Sequence, residues 1–266
     1  MPSRRLFVAG LTMAAFAAPA AEKPSERGGP LRLGVDRALE ESGLARRLQR
    51  AFGFDTGIAV LLVPGPALAV LDAARDGEVD AALVNAPGAE EELEKQGLIH
   101  DRHAIATGEF ILVGPPPPGP ARKRPPPGHN AVELLERIQA QAASDPTVVF
   151  LSAGDGSGVH VAEQALWRVA RIAPAAPWYV SAERSPDVSA QVRERGAYAL
   201  VERAAWSVHG GAPAAILVEG DPLLVESVHA MRAFRVQHPA GKIFVSWIAG
   251  GHGRAVVARH GGYRLR

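Results

Sequence analysis

The stretch Phe150-Leu-Ser-Ala-Gly-Asp-Gly-Ser-Gly-Val-His160 carries the densest chemistry in the chain. Its apolar start, Thr147 to Leu151, reads as the end of a buried strand, and its glycines as a tight turn into a helix that begins near Ser157. A strand, a glycine turn and a helix start leave backbone N–H groups free at the positive end of the helix dipole, which is how an anion pocket is built. Gly154, Gly156 and Gly158 permit positive φ and close backbone approach, while Ser152, Asp155, Ser157 and His160 add polar side chains. The same stretch is consistent with an ordinary turn in which Ser157 caps a helix. Asp155, His160 and either Ser152 or Ser157 have the residue types of an acid, base and nucleophile. Their spacing does not make the three converge, and His160 reads instead as a hydrogen-bonder beneath the loop.

The composition narrows the chemistry further. Lys and Arg number 29 against 28 Asp and Glu, so charge gives no reason to expect nucleic acid or an anionic membrane as partner. No cysteine is present, which excludes thiol nucleophiles, thiolate metal sites and a lipid-anchoring lipobox. The nine histidines are scattered without zinc-like spacing, and no catalytic residue, metal ligand or cofactor is expected. A length of 266 residues suffices for one large domain or two small lobes with real cores. Residues 1–20 read as a signal peptide: Arg4 and Arg5, an apolar run from Leu6 to Phe16, and small residues at Ala18-Pro19-Ala20. Ser3-Arg4-Arg5-Leu6-Phe7 resembles a twin-arginine export signal, with general secretion the open alternative. Either route implies a periplasmic or secreted protein that is not membrane-embedded.

Strands and helices alternate along the rest. Leu31–Val35 predicts a strand, 39–52 a helix stopped by Gly53, and Ile58–Val63 a continuous apolar strand of the kind buried in a parallel sheet. Pro64-Gly65-Pro66 turns into a helix, Val79–Val84 is a strand closed by Asn85-Ala86-Pro87, and 90–96 is an acidic helix. Phe110–Val113 is a strand running into the proline-rich stretch 114–128, which reads as an exposed loop with Arg122-Lys123-Arg124 at its tip. A second series follows: helix 130–143, strand 147–151, helix 158–172, strand 177–181, helix 186–195, strands at Tyr198–Val201 and Ile216–Val218, a strand near 229–236 and a helix near 240–249. Such alternation implies βαβ units with parallel strands.

Six fragments in order resemble one family: Asp80-Ala-Ala-Leu-Val-Asn-Ala-Pro87, Glu109-Phe-Ile-Leu-Val-Gly-Pro115, the stretch 150–160, Trp178-Tyr-Val-Ser181, Arg195-Gly-Ala-Tyr-Ala-Leu200 and Leu217-Val-Glu-Gly-Asp-Pro222. They look like the periplasmic solute-binding proteins of tungstate-type ABC importers. The resemblance implies an α/β, two-lobed type II periplasmic binding protein fold, each lobe a mostly parallel sheet flanked by helices, with two crossover strands. It places lobe 1 at 31–112 plus 229–266, lobe 2 at 113–228, and the crossovers near Phe110–Val113 and His229–Val236. A ligand would sit between the lobes, outside the carboxyl ends of the strands.

The ligand shell departs from the family. Its first loop is rich in Thr and Ser, where this chain has Asp36-Arg37-Ala38. Its glycine loop reads Ser-Arg-Gly-Asp-Asp-Ser-Gly-Thr-His, where this chain has Ala153 in place of the arginine. Pro64-Gly65-Pro66 likewise replaces a turn with more donors. The expected ligand-binding residues are Asp36, Arg37, Gly65, Asn85, Ala86, Ser152, Gly154, Asp155, Gly156, Ser157 and Arg184. Arg37 or Arg184 would supply the missing positive charge for an oxyanion. Asp36, Glu183 or Asp155 would instead pair with a zwitterionic or cationic solute. The resemblance implies a binding protein rather than an enzyme, with an ABC transporter permease as partner, and with a sensory or interaction protein on the same shell as the alternative.

Overall fold

The structure, a computed structural model, describes residues 29–182, 188–236 and 238–266. The expected signal peptide, Glu183 and Arg184 lie outside the described residues.

The first α/β series comprises β1 (Leu31–Asp36), α1 (Arg37–Glu41), α2 (Leu44–Thr56), β2 (Val60–Gly65), α3 (Ala67–Asp76), β3 (Ala81–Val84) and α4 (Pro87–Lys95). The long strand β4 (Ile99–Gly114) then leads past the proline-rich loop into a second series. That series is α5 (Ala131–Ala142), β5 (Phe150–Ser152), α6 (Gly158–Ala170), β6 (Tyr179–Ser181), α7 (Val188–Arg195), β7 (Ala199–Glu202), α8 (Arg203–His209) and β8 (Ala215–Val218). The chain returns through β9 (Val225–Ala233) and ends in α9 (Pro239–Ala249) and α10 (Gly251–Ala258).

Strand direction explains the two-lobed plan. β2, β1 and β3 pair in parallel, as do β5 and β6. Each antiparallel ladder involves β4 or β9: β3 with β9, β4 with β9, and β4 with β7 and β8. β4 and β9 are therefore the crossovers. The first stretch of β4 pairs with β9, and its last residues, Phe110 to Gly114, pair with β7 and β8. Separate cores form on either side. One packs Leu33, Leu48, Phe52, Leu83 and Phe244 between the first sheet and α2 and α9. The other packs Phe110, Leu135, Phe150, Trp167 and Leu200. Trp178 and Tyr179 pack edge-on against Trp167 in this second core, so they stabilise the lobe rather than present bare rings to a ligand.

Several local expectations are corrected. The helix expected over 39–52 is two helices, broken where Gly43 adopts φ 84°. Gly53 does not stop α2; the chain leaves the helix at Gly57, with φ 72°, whose N–H donates to the Gly53 carbonyl. β2 is not buried on both faces but forms the sheet edge, and Leu61 and Val63 on it are exposed. β4 begins eleven residues before its expected start at Phe110, the early half being hidden by irregular register between His100 and His103 and between Ala104 and Ala106. α10 has no counterpart in the sequence reading, because Gly251 and Gly253 lower its apparent helix propensity. Gly253 is needed there, since a Cβ would collide with the backbone of Ile248.

Candidate functional site

The glycine loop has the predicted strand–turn–helix form. Gly154 and Gly156 hold φ 66° and 79°, values that a side chain disfavours. Three of the loop's amides, those of Gly156, Ser157 and Gly158, are however taken by the chain itself. The Ser157 N–H donates to Asp155 Oδ1 at 2.9 Å. The Gly156 N–H donates to His160 Nδ1 at 3.0 Å, which gives His160 its role beneath the loop. Ser157 Oγ caps α6 by accepting from the His160 N–H at 3.3 Å. These contacts leave no proton-relay geometry among Ser157, His160 and Asp155.

The Gly158 N–H, at the first position of α6, donates to Asp36 Oδ2 at 3.1 Å across 122 residues of sequence. Asp36 ends β1 and caps α1, its Oδ1 accepting from the Ala38 N–H at 2.9 Å. The Ala67 amide, at the start of α3, adds a weaker pull that favours the charged form of this carboxyl. One carboxylate thus gathers backbone donors from two helix starts, one in each series. Burial pushes the Asp36 carboxyl up to about 6; the amides of Gly158, Ala38 and Ala67 oppose the rise, and Asp155 adds a like charge. Beside this point the Leu68 N–H donates to the Gly156 carbonyl at 3.0 Å, a backbone-to-backbone bond between the series.

Asn85 and Ala86 follow β3 into the same junction. Asn85 Nδ2 donates to Glu226 Oε1 at 2.5 Å, and Asn85 Oδ1 is buried with no hydrogen-bond donor. The amide of Asn85 lies against the Cα of Gly158. The Ala86 N–H is held by Glu90 Oε1 at 2.8 Å, and Glu90 is anchored by Arg102 at 2.9 Å. Gly65 pairs in register with Asp36, beneath the cradle. Ser152 is buried at the end of β5, close to Glu163, whose carboxylate accepts from Tyr179 and Trp167 and which burial pushes up to about 6.

A cavity of about 240 Å³ opens next to this junction. Of the sequence-predicted residues, Arg37, Asp155 and Ser157 line it, while Asp36, Gly65, Asn85, Ala86 and Ser152 do not. Its remaining wall includes Glu41, Val159, Trp206 and His209. The Arg37 guanidinium stands 3.8 Å from Asp155 Oδ2, with its side chain more than a third exposed. A solvated pair at that distance contributes little. Arg37→Ala is expected to change stability by less than about 1 kcal/mol, read as a melting-temperature change of no more than about 4 °C.

Sequence reasoning did not single out the Ala67 amide, Leu68, Glu226, Trp206 or His209. Their participation depends on contacts between distant segments, and no local pattern marks them. Among the described residues no cluster of three or more His, Asp or Glu could hold a metal ion, and no helix is long and apolar enough to cross a membrane.

Comparison with known proteins agrees with this architecture. Residues 34–234 match the family described as the PBP superfamily domain. The chain is 30% identical over 240 residues to the tungstate-binding protein TupA of Peptoclostridium acidaminophilum, covering 88% of this chain and 82% of that protein. It superimposes on the crystal structure of the tungstate ABC transporter from Geobacter sulfurreducens with a TM-score of 0.71 at 24% identity, over 86% of this chain and 97% of that one. The tungstate-binding protein TupA from Desulfovibrio alaskensis gives a TM-score of 0.64 at 26% identity, over 90% and 96% of the respective chains. The chain belongs to the PBP superfamily, with the fold of a type II periplasmic binding protein.

Proposed function

We propose that this chain is the extracytoplasmic solute-binding protein of an ABC importer, exported by its N-terminal segment, closing on an oxyanion between lobes formed by 31–112 plus 229–266 and by 113–228, and delivering it to a membrane permease. The observation that carries the reading is the convergence of the Ala38 and Gly158 amides, one from each series, on one buried carboxylate. Backbone donors fixed at helix starts favour an anion without needing a cation. The named functions of the relatives, tungstate-binding proteins in both cases, point to the same ligand class. Closure would be a hinge motion about β4 and β9.

Thermal denaturation with tungstate, molybdate, sulfate and phosphate tests the reading. A ligand present at about a hundred times its Kd stabilises by roughly 2.7 kcal/mol, so the true cargo raises the melting temperature by several degrees. No shift with any oxyanion, together with a shift from an amino acid or polyamine, would replace the oxyanion with an organic solute. That second reading draws its support from Ala153, where the family has arginine, and from the adjoining cavity, whose wall combines Trp206 and Val159 with Glu41 and Asp155.

A further inference from the structure

The amides that make the cleft suited to an anion are not waiting for one. Asp36 is completely buried, and its two carboxylate oxygens take the Ala38 and Gly158 N–H groups. A free oxyanion would need these same donors. It would also meet the carboxylate's negative charge at hydrogen-bond range, where like charges repel strongly in a dry site. Among the described residues, the groups whose charge reaches Asp36 from other elements are Asp155 on the glycine loop, Glu202 at the start of α8 and Glu226 on β9, all acids. Arg37 is turned to Asp155, and His160 presents Nδ1 to the Gly156 amide. Asn85 faces the same helix start with a buried carbonyl oxygen that lacks a donor, and a dianion has no proton to give it.

Resting on the oxyanion reading of the cleft, we infer that Asp36 is a built-in competitor for the amide cradle, a specificity-determining residue that makes oxyanion binding conditional on its own protonation or removal. With the carboxylate charged, the Asp36–Gly158 bond holds the amide that an anion would need, beside the Leu68–Gly156 bond between the two series. With the carboxyl neutral, the repulsion is gone and the acid can turn its proton toward an anion's oxygen. Burial already moves this proton exchange toward neutrality, to about 6. The device therefore works within the range of acidity that a periplasm meets.

Calorimetry with sulfate, which stays a dianion across the range, decides the matter on the wild type, Asp36→Ser and Asp36→Asn. Serine keeps a cap for α1 and vacates the charge, and asparagine keeps the shape should serine perturb folding. At about pH 8 both variants are expected to bind sulfate or tungstate at least about tenfold more tightly than the wild type. Between about pH 8 and about pH 5 the wild type should gain sulfate affinity by a similar factor while the variants hold theirs constant. Equal affinity of wild type and both variants at the higher pH overturns the competitor role and leaves the oxyanion reading intact. Failure of all three, folded by circular dichroism, to bind sulfate or tungstate at either pH overturns the oxyanion reading and the competitor with it.

Discussion

Gly158→Ala is expected to lower ligand affinity on the order of 10- to 100-fold while leaving the unliganded protein folded and almost as stable. A Cβ at this position would run into the Asn85 side chain, with even the more distant Nδ2 only 2.7 Å away. Asn85 cannot withdraw easily. It is buried, and Glu226 holds its amide. The two residues come from different series, Asn85 after β3 and Gly158 at the start of α6, so the overlap exists only when the lobes meet. Opening about the proposed hinge would relieve it, which would move the cost from folding to closure. Forcing one methyl into a packed contact costs about 1–3 kcal/mol. Gly158 does not have a positive φ, and alanine is the better helix former, so the substitution favours α6 slightly on its own. Titration calorimetry and small-angle scattering read the two effects separately: weakened binding and a larger radius of gyration with ligand, against an unliganded melting temperature within a few degrees of wild type. Unchanged affinity together with an unchanged bound radius would show that Asn85 and Gly158 do not meet in the closed state.

That contact illustrates what was and was not legible in the sequence. Alternating apolar strands and helices revealed both α/β series, because each element's period is local. The loop 150–160 announced its turn and its helix start through glycines at 154 and 156 and a capping serine at 157, again local signals. The state of the loop's amides was not legible. Asp155 and His160 take the Ser157 and Gly156 amides from within the loop, but the Gly158 amide is taken by Asp36, which lies 122 residues earlier and reaches it only because β1 ends opposite α6. The edge position of β2 escaped notice for a related reason. Val60 to Val63 are apolar whether one face or two are covered, and the order of strands decides which. The early half of β4 was hidden by its own irregular pairing, where Asp101 takes a positive φ and the alternation that marks a strand is lost. Resemblance to a family supplied the lobes and the cleft. The departures from it, Asp36 above all, could be seen in sequence but acquired meaning only from geometry.

The melting temperature should fall by several degrees between about pH 5 and about pH 8, and Glu226→Gln should remove much of that slope. Four buried carboxyls hold their protons above the ordinary carboxylate range. Burial pushes Asp36 and Glu163 up to about 6 and Glu202 up to about 7, and it carries Glu226 well above its ordinary value with Glu202 repelling it further. A raised carboxyl holds its proton in the folded state where the unfolded chain has lost it. Its favourable contribution is complete below the ordinary carboxylate range and disappears as pH climbs through the folded value. A shift of the size seen for Asp36, from 3.8 to about 6, corresponds to roughly 3 kcal/mol. Glu202 and Glu226 share their protons, so their contributions do not simply add. The carboxyls held low, Asp76 by Arg75, Asp101 by Arg232 and Asp55 by Trp247, act in the opposite direction, but only in stronger acid. Stability therefore peaks on the acid side of neutral. The amide introduced by Glu226→Gln keeps an oxygen for the Asn85 Nδ2 donor and can never ionise beside Glu202 and Asp36. The variant should match the wild type at about pH 5 and exceed it at about pH 8. A wild-type curve that stays level or rises over this interval, or a Glu226→Gln curve with the wild-type slope, would show that these acids do not control closure and stability together.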